Sequence, residues 1–127
     1  MSLHNFKDIT GDLTDDEAKL IPVLISSFNN HGATNPIKAK EIVKLMNNYL
    51  LKKGILINFT GVRLRKCVNY IRKNSMIPLM ATSNGYFVSR DQFTIQGQIQ
   101  SLRQRANSIS SCADGLEKFL FDNDTDN

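Results

Sequence analysis

The strongest constraint on the fold of this chain is an apolar repeat near its C-terminal end. The repeat has eight members at alternating spacings of four and three: Ile95, Ile99, Leu102, Ala106, Ile109, Ala113, Leu116 and Leu120. This spacing places all of them on one stripe of an α-helix, and so long a stripe is typical of a helix that packs against another helix. We therefore expect a long helix over residues 91–121 and interpret the eight residues as a dimer interface.

Two arrangements could cover this stripe: the helix could pack back onto its own domain, or two copies could pair. We favour a homodimer, because a small domain has little spare surface to cover such a stripe. In an antiparallel pair centred near Ser111, Ala106 would face Leu116 and Ala113 would face Ile109, so that each small residue meets a large one. A parallel pair would stack alanine on alanine and leave thin layers, and we therefore prefer the antiparallel pair.

Capping signals divide the preceding chain into helices. Thr14, with Glu17 three residues later, forms a capping-box pattern that predicts the start of a first helix. Asn35-Pro36 predicts the start of a second helix, and Gly54 predicts its end. The acidic residues after Thr14 are explained by capping, so we do not interpret them as catalytic carboxylates.

A third helix is predicted from Thr60 to about Asn74. Its apolar residues share one side of the helix: Leu64, Cys67, Val68 and Ile71. The other side is basic or capable of hydrogen bonding, with Lys66 expected to face outward. Residues 55–59, which precede this helix, fit either a short strand or an apolar loop.

A hairpin signal follows the third helix. Asn84-Gly85 is the pair that best tolerates a type I′ turn, and residues 78–83 and 86–90 flank it as candidate strands. That turn would pair Ser83 with Tyr86. Three helices followed by a hairpin predict a winged helix-turn-helix domain.

These patterns give a mainly α chain with a small β-hairpin. We expect an N-terminal arm at residues 1–13, the winged helix-turn-helix domain at 14–90, the dimerisation helix at 91–121 and an acidic disordered tail at 122–127.

The charge distribution points to a polyanionic partner. Residues 42–90 carry nine lysines and arginines and no aspartate or glutamate, whereas residues 1–41 sum to −2 and residues 91–127 to −3. Such an uneven field attracts nucleic acid. We therefore expect binding to double-stranded DNA.

The third helix of a helix-turn-helix protein enters the major groove, where Arg and Lys read guanine and Asn reads adenine. The residues expected near base edges are Arg63, Lys66, Asn69 and Tyr70. Those expected at phosphates are Thr60, Arg65, Arg72, Lys73, Lys52 and Lys53. The wing is expected to contribute Ser83, Asn84 and Arg90.

Other classes of function have no signal in the sequence. Cys67 and Cys112 have no CxxC neighbour, and His4 and His31 lack metal-ligand spacing, so we expect no disulfide framework and no metal. No catalytic motif occurs, and we expect neither an enzyme nor a cofactor. No apolar run approaches the length of a membrane span, which together with the cysteines favours a cytoplasmic location.

Three segments also resemble a known group of proteins: residues 63–72, residues 77–87 with their Ser83-Asn84-Gly85 tip, and residues 101–106. They are similar to small winged-helix proteins of phages and prophages. The resemblance implies a winged-helix DNA-binding fold and a viral or mobile-element setting. It does not define a task.

The sequence leaves two functions open. The first is a dimeric DNA-binding protein that acts as a transcription regulator or as an accessory to phage replication or packaging. The second is a protein-interaction adaptor that works through the long C-terminal helix.

Overall fold

The computed structural model describes residues 13–125, and the side chains of residues 13–121. The predicted arm at residues 1–13 therefore lies outside the described residues except for Leu13. The elements are α1 (Asp15–Phe28), α2 (Ala39–Lys52), α3 (Gly61–Lys73), β1 (Leu79–Thr82), β2 (Gly85–Val88) and α4 (Gln92–Thr125). The chain divides into two compact units, Met1–Arg90 and Asp91–Asn127, called here the N-terminal unit and the C-terminal helix.

Helix α1 begins as the sequence predicts. The hydroxyl of Thr14 accepts the N–H of Glu17 at 3.2 Å, and Glu17 Oε1 accepts the N–H of Thr14 at 2.9 Å. This reciprocal pair satisfies two backbone donors at the helix start. The helix continues through Pro22, which is exposed, and it buries Leu24 and Phe28 in the core.

Helix α2 begins later than predicted. Asn35-Pro36 does not start it; the first helical residue is Ala39, and Lys38 is the N-cap. The cause lies in a distant part of the chain. Ile37 exchanges two backbone hydrogen bonds with Tyr86 of β2, each 2.8 Å long, and this extended pairing excludes a helical conformation at Ile37.

The end of α2 confirms the prediction for Gly54. Gly54 has φ +69°, and the N–H of Ile55 donates to the carbonyl of Leu50 at 3.0 Å. This is the Schellman arrangement, in which glycine takes the left-handed conformation and the last carbonyls find donors.

The connection at residues 55–59 is an irregular segment and not a strand. Its end is attached to α2 through Asn47. The Asn47 side chain accepts the N–H of Phe59 at 2.9 Å and donates to the carbonyl of Phe59 at 3.0 Å. Phe59 is only 1% exposed, whereas Leu56 is 97% exposed. The two hydrogen bonds therefore place the residue that immediately precedes the cap of α3.

The hairpin forms, but its turn lies one residue earlier than predicted, so that each pairing partner differs from the predicted one by two residues. Thr82 pairs with Gly85 and Ala81 with Tyr86, so that Ser83 and Asn84 form the turn. Asn84 does not have the positive φ that a type I′ turn requires. Gly85 has φ +124°, and it is required by a close backbone contact and not by the turn. A Cβ atom at this position would lie 2.5 Å from the carbonyl oxygen of Ile37. The close approach of the Ile37 segment thus sets the register.

The described residues of the N-terminal unit share one apolar core. It draws residues from α1, α2, α3 and the hairpin, and its members with less than 2% exposure include Phe28, Ile42, Met46, Leu64, Ile71 and Leu79. The rings of Phe28 and Tyr86 lie 5.5 Å apart at an interplanar angle of 57°, which joins α1 to β2.

The C-terminal helix confirms the predicted long helix. Asp91 caps it, since its Oδ2 accepts the N–H of Thr94 at 2.9 Å and the Thr94 hydroxyl at 2.8 Å. The helix continues to Thr125, so the first four residues of the predicted disordered tail are helical instead. Among the described residues, no helix combines the length and apolarity needed to cross a membrane.

Candidate nucleic-acid interface

Helix α3 separates an apolar face from a polar one. The predicted buried residues Leu64, Cys67, Val68 and Ile71 are all at most 3% exposed. The opposite face is exposed at helical spacing: Val62, Arg65, Asn69 and Lys73. Tyr70, at 39% exposure, lies beside this row. We call these five residues the α3 face.

Two residues expected at base edges do not lie on the α3 face. Lys66 Nζ is 2.8 Å from Glu17 Oε1, and the Lys66 side chain is only 11% exposed. Arg63 Nη1 is 3.4 Å from Glu17 Oε2, with its side chain 36% exposed. The expectation that Lys66 faces outward is wrong, because a carboxylate far away in sequence binds its ammonium group.

Glu17 is the acidic group that holds this cluster together. It is 2% exposed, and its two oxygens accept from Lys66, from Arg63 and from the N–H of Thr14. Burial acts to raise the pKa of Glu17, but the hydrogen bond and charge of Lys66 and the bonds from Thr14 outweigh burial and hold the pKa below its usual value. The carboxylate is therefore ionised at neutral pH and balances part of the basic charge.

This cluster determines which side of α3 meets solvent. Lys66 and Arg63 lie on one flank of the helix and both are tied to α1 through Glu17. With that flank held, Arg65 and Asn69 point outward. Arg65, which the sequence reasoning placed at a phosphate, extends along the helix toward Gly61: its Nη1 is 3.9 Å from the position of a Cβ at Gly61. The guanidinium group is thus near the N-terminal end of the exposed face.

The start of α3 is capped as predicted. The hydroxyl of Thr60 accepts the N–H of Arg63 at 3.3 Å, and the carbonyl of Thr60 accepts the N–H of Leu64 at 2.9 Å. The Thr60 oxygen therefore already accepts from one of the first-turn donors, and its predicted role at a phosphate depends on donation by its O–H group.

The other predicted phosphate contacts are mostly exposed. Lys52, Lys53 and Lys73 are exposed, and Arg72 is half-buried; Arg90, which was expected to act with the wing, is exposed as well. Lys53 Nζ also lies 5.7 Å from the centre of the Tyr49 ring, a distance at which a cation and an aromatic face attract. Lys44 and Arg65 are exposed too, so that six of the nine basic residues in 42–90 meet solvent.

The hairpin tip is small, polar and locally ordered. Ser83 and Asn84 are exposed, and the Thr82 hydroxyl accepts the N–H of Asn84 at 3.2 Å while donating to the carbonyl of Gly85 at 3.2 Å. A cleft of about 340 Å³ separates the tip from the start of α2, where Lys38 and Lys40 line it. These two lysines bring charge to an uncharged tip. These lysines were not among the predicted contacts, because the bridge between Ile37 and Tyr86 that brings them there has no local signal in the sequence.

The described residues offer little for thiol or metal chemistry. Burial, together with the negative charge of Glu17, raises the pKa of the Cys67 thiol to about 12, so this cysteine is an inert core residue. Within the described part of the chain, no group of three His, Cys, Asp or Glu side chains is placed to hold a metal ion.

A scan against protein-family models and searches of curated proteins and of solved structures gave no match.

Proposed function

We propose that the N-terminal unit binds double-stranded DNA as a winged helix-turn-helix domain, with α3 in the major groove and the hairpin as the wing. The observation that carries this proposal is the α3 face, which presents Arg65, Asn69 and Lys73 to solvent in a stretch with no acidic residue. A helix with such a face fits the major groove of B-DNA in width and in charge.

Within this proposal, the burial and ion pairs of α3 support different roles for individual residues from those expected from the sequence. Arg65 and Asn69 take the places at base edges, since Arg pairs with guanine and Asn with adenine. Val62, 46% exposed on the same face, suits the methyl group of thymine. Arg63 and Lys66 become positioning residues that fix α3 through Glu17.

The phosphate contacts come from the periphery. Lys73 lies at the end of α3, Lys52 and Lys53 at the end of α2, and Lys38 and Lys40 beside the hairpin tip. Contacts of this kind position a protein on the duplex without reading its sequence. They also make the affinity depend strongly on salt.

The first test is the salt dependence of binding to a mixed-sequence duplex, measured by fluorescence anisotropy at about 50 and 200 mM salt. Five phosphate contacts, one for each of these lysines, predict that the affinity falls by about five hundredfold over this range. Absence of binding at the lower concentration would refute the proposal and leave the adaptor function, for which the exposed apolar residues of the C-terminal helix are the supporting observation.

A pair of single substitutions tests the α3 face itself. Arg65→Ala should weaken binding to a preferred site by about tenfold or more, the usual loss for an arginine that reads a base. Lys118→Ala removes the same charge from an exposed position of the C-terminal helix and serves as the matched control. Equal losses for the two variants would mean that only net charge matters and that α3 reads no bases.

Selection of bound duplexes from a random-sequence pool distinguishes a transcription regulator from an accessory of phage replication or packaging. A transcription regulator needs a specificity ratio of roughly a thousandfold or more over random DNA. A strong consensus would favour a regulator, and retention of the pool without enrichment would favour an accessory of phage replication or packaging.

A further inference from the structure

The C-terminal helix displays a long row of apolar side chains. Ile109 and Leu116 are each 69% exposed, Leu120 is 67% exposed, and Ile99 and Leu102 are 41% and 38% exposed. These residues belong to the repeat that alternates spacings of four and three along α4. An exposed stripe of this length and period is complementary in shape to another helix of the same kind.

We propose that this face binds the C-terminal helix of a second copy of the chain, in antiparallel orientation, with the two-fold axis near Ser111. The proposal concerns the C-terminal helix alone and does not require that the N-terminal unit binds DNA. Three features of the helix favour the second copy and this orientation: the sizes of the residues in the row, the charges on one flank, and the side chains on the other.

The sizes of the apolar residues match only in the antiparallel arrangement. With the axis near Ser111, Ala106 packs against Leu116 of the second copy, and Ile109 packs against Ala113 of the second copy. Each of the four central layers then holds one small and one large residue, and Leu102 packs against Leu120 of the second copy in the layer beyond them at either end. A parallel pair would place alanine opposite alanine twice and leave gaps, which cost packing energy in each of those layers.

The charges flanking the row are complementary in the same arrangement. Arg103 follows Leu102, and Glu117 follows Leu116, so both lie on the same edge of the stripe. In an antiparallel pair, like edges face each other, and Arg103 of each copy meets Glu117 of the other. In a parallel pair, opposite edges meet, and Arg103 would face Gln98 instead, so that the pair would have no such ion pairs.

The second edge supports the same orientation. It carries Arg105 and Phe119, which lie opposite one another between antiparallel copies. An arginine beside an exposed aromatic ring, here 67% exposed, gives a favourable cation–π contact. Cys112 lies midway between them on this edge and close to the two-fold axis.

Sedimentation velocity of the full chain, in the absence of DNA, tests the association. The wild-type chain should sediment as a dimer. Ile109→Asp should convert it to a monomer, because a charge would be buried in the centre of the row. Gln104→Asp puts the same charge on the outer face of the same helix and should leave the dimer intact. A wild-type chain that stays monomeric at every concentration would overturn the proposal.

Charge reversal tests the orientation without altering the apolar row. Arg103→Glu alone should weaken the dimer by about tenfold or more, because it creates two repulsive pairs with Glu117. Adding Glu117→Arg to the same chain should restore the affinity. If Arg103→Glu and Glu117→Arg, each made alone, leave the affinity unchanged, the two residues do not face each other and the antiparallel register is wrong.

A distance measurement decides between the two orientations directly. Spin labels attached at Gln92→Cys, in a chain with Cys112→Ser, mark the first turn of each helix; the buried Cys67 is left unlabelled. In the antiparallel register the two labels lie about 57 Å apart along the axis at 1.5 Å per residue. A separation near 10 Å, the distance between packed helices, would establish a parallel pair and overturn the proposed orientation.

Discussion

The two units of this chain differ in the exposure of their phenylalanine side chains. In the N-terminal unit Phe28 and Phe59 are 0% and 1% exposed, whereas in the C-terminal helix Phe93 and Phe119 are 82% and 67% exposed. The first unit buries its large apolar residues within one chain, and its stability should therefore not depend on protein concentration. The second has its apolar row on the surface, and its stability should increase with concentration if copies associate.

The burial of carboxylates differs between the two units as the burial of phenylalanines does. The N-terminal unit buries one carboxylate, Glu17, against two cations, so that a charge cluster forms part of its interior. The C-terminal helix keeps Glu117 exposed, and an exposed charge contributes little to the folding of a single chain. The same residue types, phenylalanine and glutamate, thus have structural roles in the N-terminal unit and remain available for binding in the C-terminal helix.

The largest expected effect concerns the aromatic residues. Phe28→Ala should lower the free energy of unfolding of the N-terminal unit by about 3–5 kcal/mol, because it leaves a cavity in the core. Phe93→Ala should change it by less than about 0.5 kcal/mol. Tyrosine fluorescence in a urea titration reads this unit selectively, since the tyrosines of the chain, Tyr49, Tyr70 and Tyr86, all lie in it and the chain has no tryptophan. Similar losses for the two variants would contradict the division into two units.

A matched pair of glutamates gives the next largest effect. Glu17→Gln should destabilise the N-terminal unit by about 3 kcal/mol, because Lys66 would remain nearly buried without its counter-charge. The same change at the exposed Glu117 should have no measurable effect on this unit. The measurement is again the urea midpoint followed by tyrosine fluorescence. A small loss at Glu17 would mean that water reaches Lys66 once the carboxylate is removed.

The pH dependence of stability follows from the same carboxylate. The pKa of Glu17 in the folded chain is below its ordinary value of 4.5, so the folded state binds this proton less well than the unfolded state. The stabilisation is complete above about pH 4.5 and is lost as the pH falls toward the lower folded-state pKa. Urea midpoints measured between pH 7 and pH 3 should fall more steeply in wild type than in Glu17→Gln. Parallel curves would show that other carboxylates control the acid sensitivity.

The sequence predicted those features of the fold whose signals are local. The capping box at Thr14, the glycine end of α2 at Gly54 and the Thr60 cap of α3 each depend on residues within one helical turn, and the structure confirms all three. The repeat on the C-terminal helix is local in the same sense, because its members are related by helix geometry alone.

The errors share a different origin. The start of α2 and the hairpin register were wrong because Ile37 pairs with Tyr86, and the close approach at Gly85 then decides which residues form the turn. Lys66 was placed on the outer face because its partner, Glu17, lies in another helix. Both the fold and the candidate site thus departed from prediction where a residue far away in sequence makes the deciding contact.

The smallest expected effect compares two helix ends within the N-terminal unit. Helices α2 and α3 end in the same hydrogen-bonding arrangement, but α2 has Gly54 at the left-handed position and α3 has Ser75, at φ +53°. The left-handed conformation destabilises a residue that has a Cβ by about 1 kcal/mol relative to glycine. Ser75→Gly should therefore raise the free energy of unfolding by about that amount. The reciprocal change, Gly54→Ser, should lower it similarly, because a Cβ at Gly54 would have no atom within 4 Å and only the backbone conformation is at issue. Both shifts should register in tyrosine fluorescence, and neither should alter the sedimentation of the chain, since the changes lie outside the C-terminal helix. If Ser75→Gly were neutral, the serine side chain would have to compensate the strain, and Ser75→Ala would then destabilise the unit where Ser75→Gly does not.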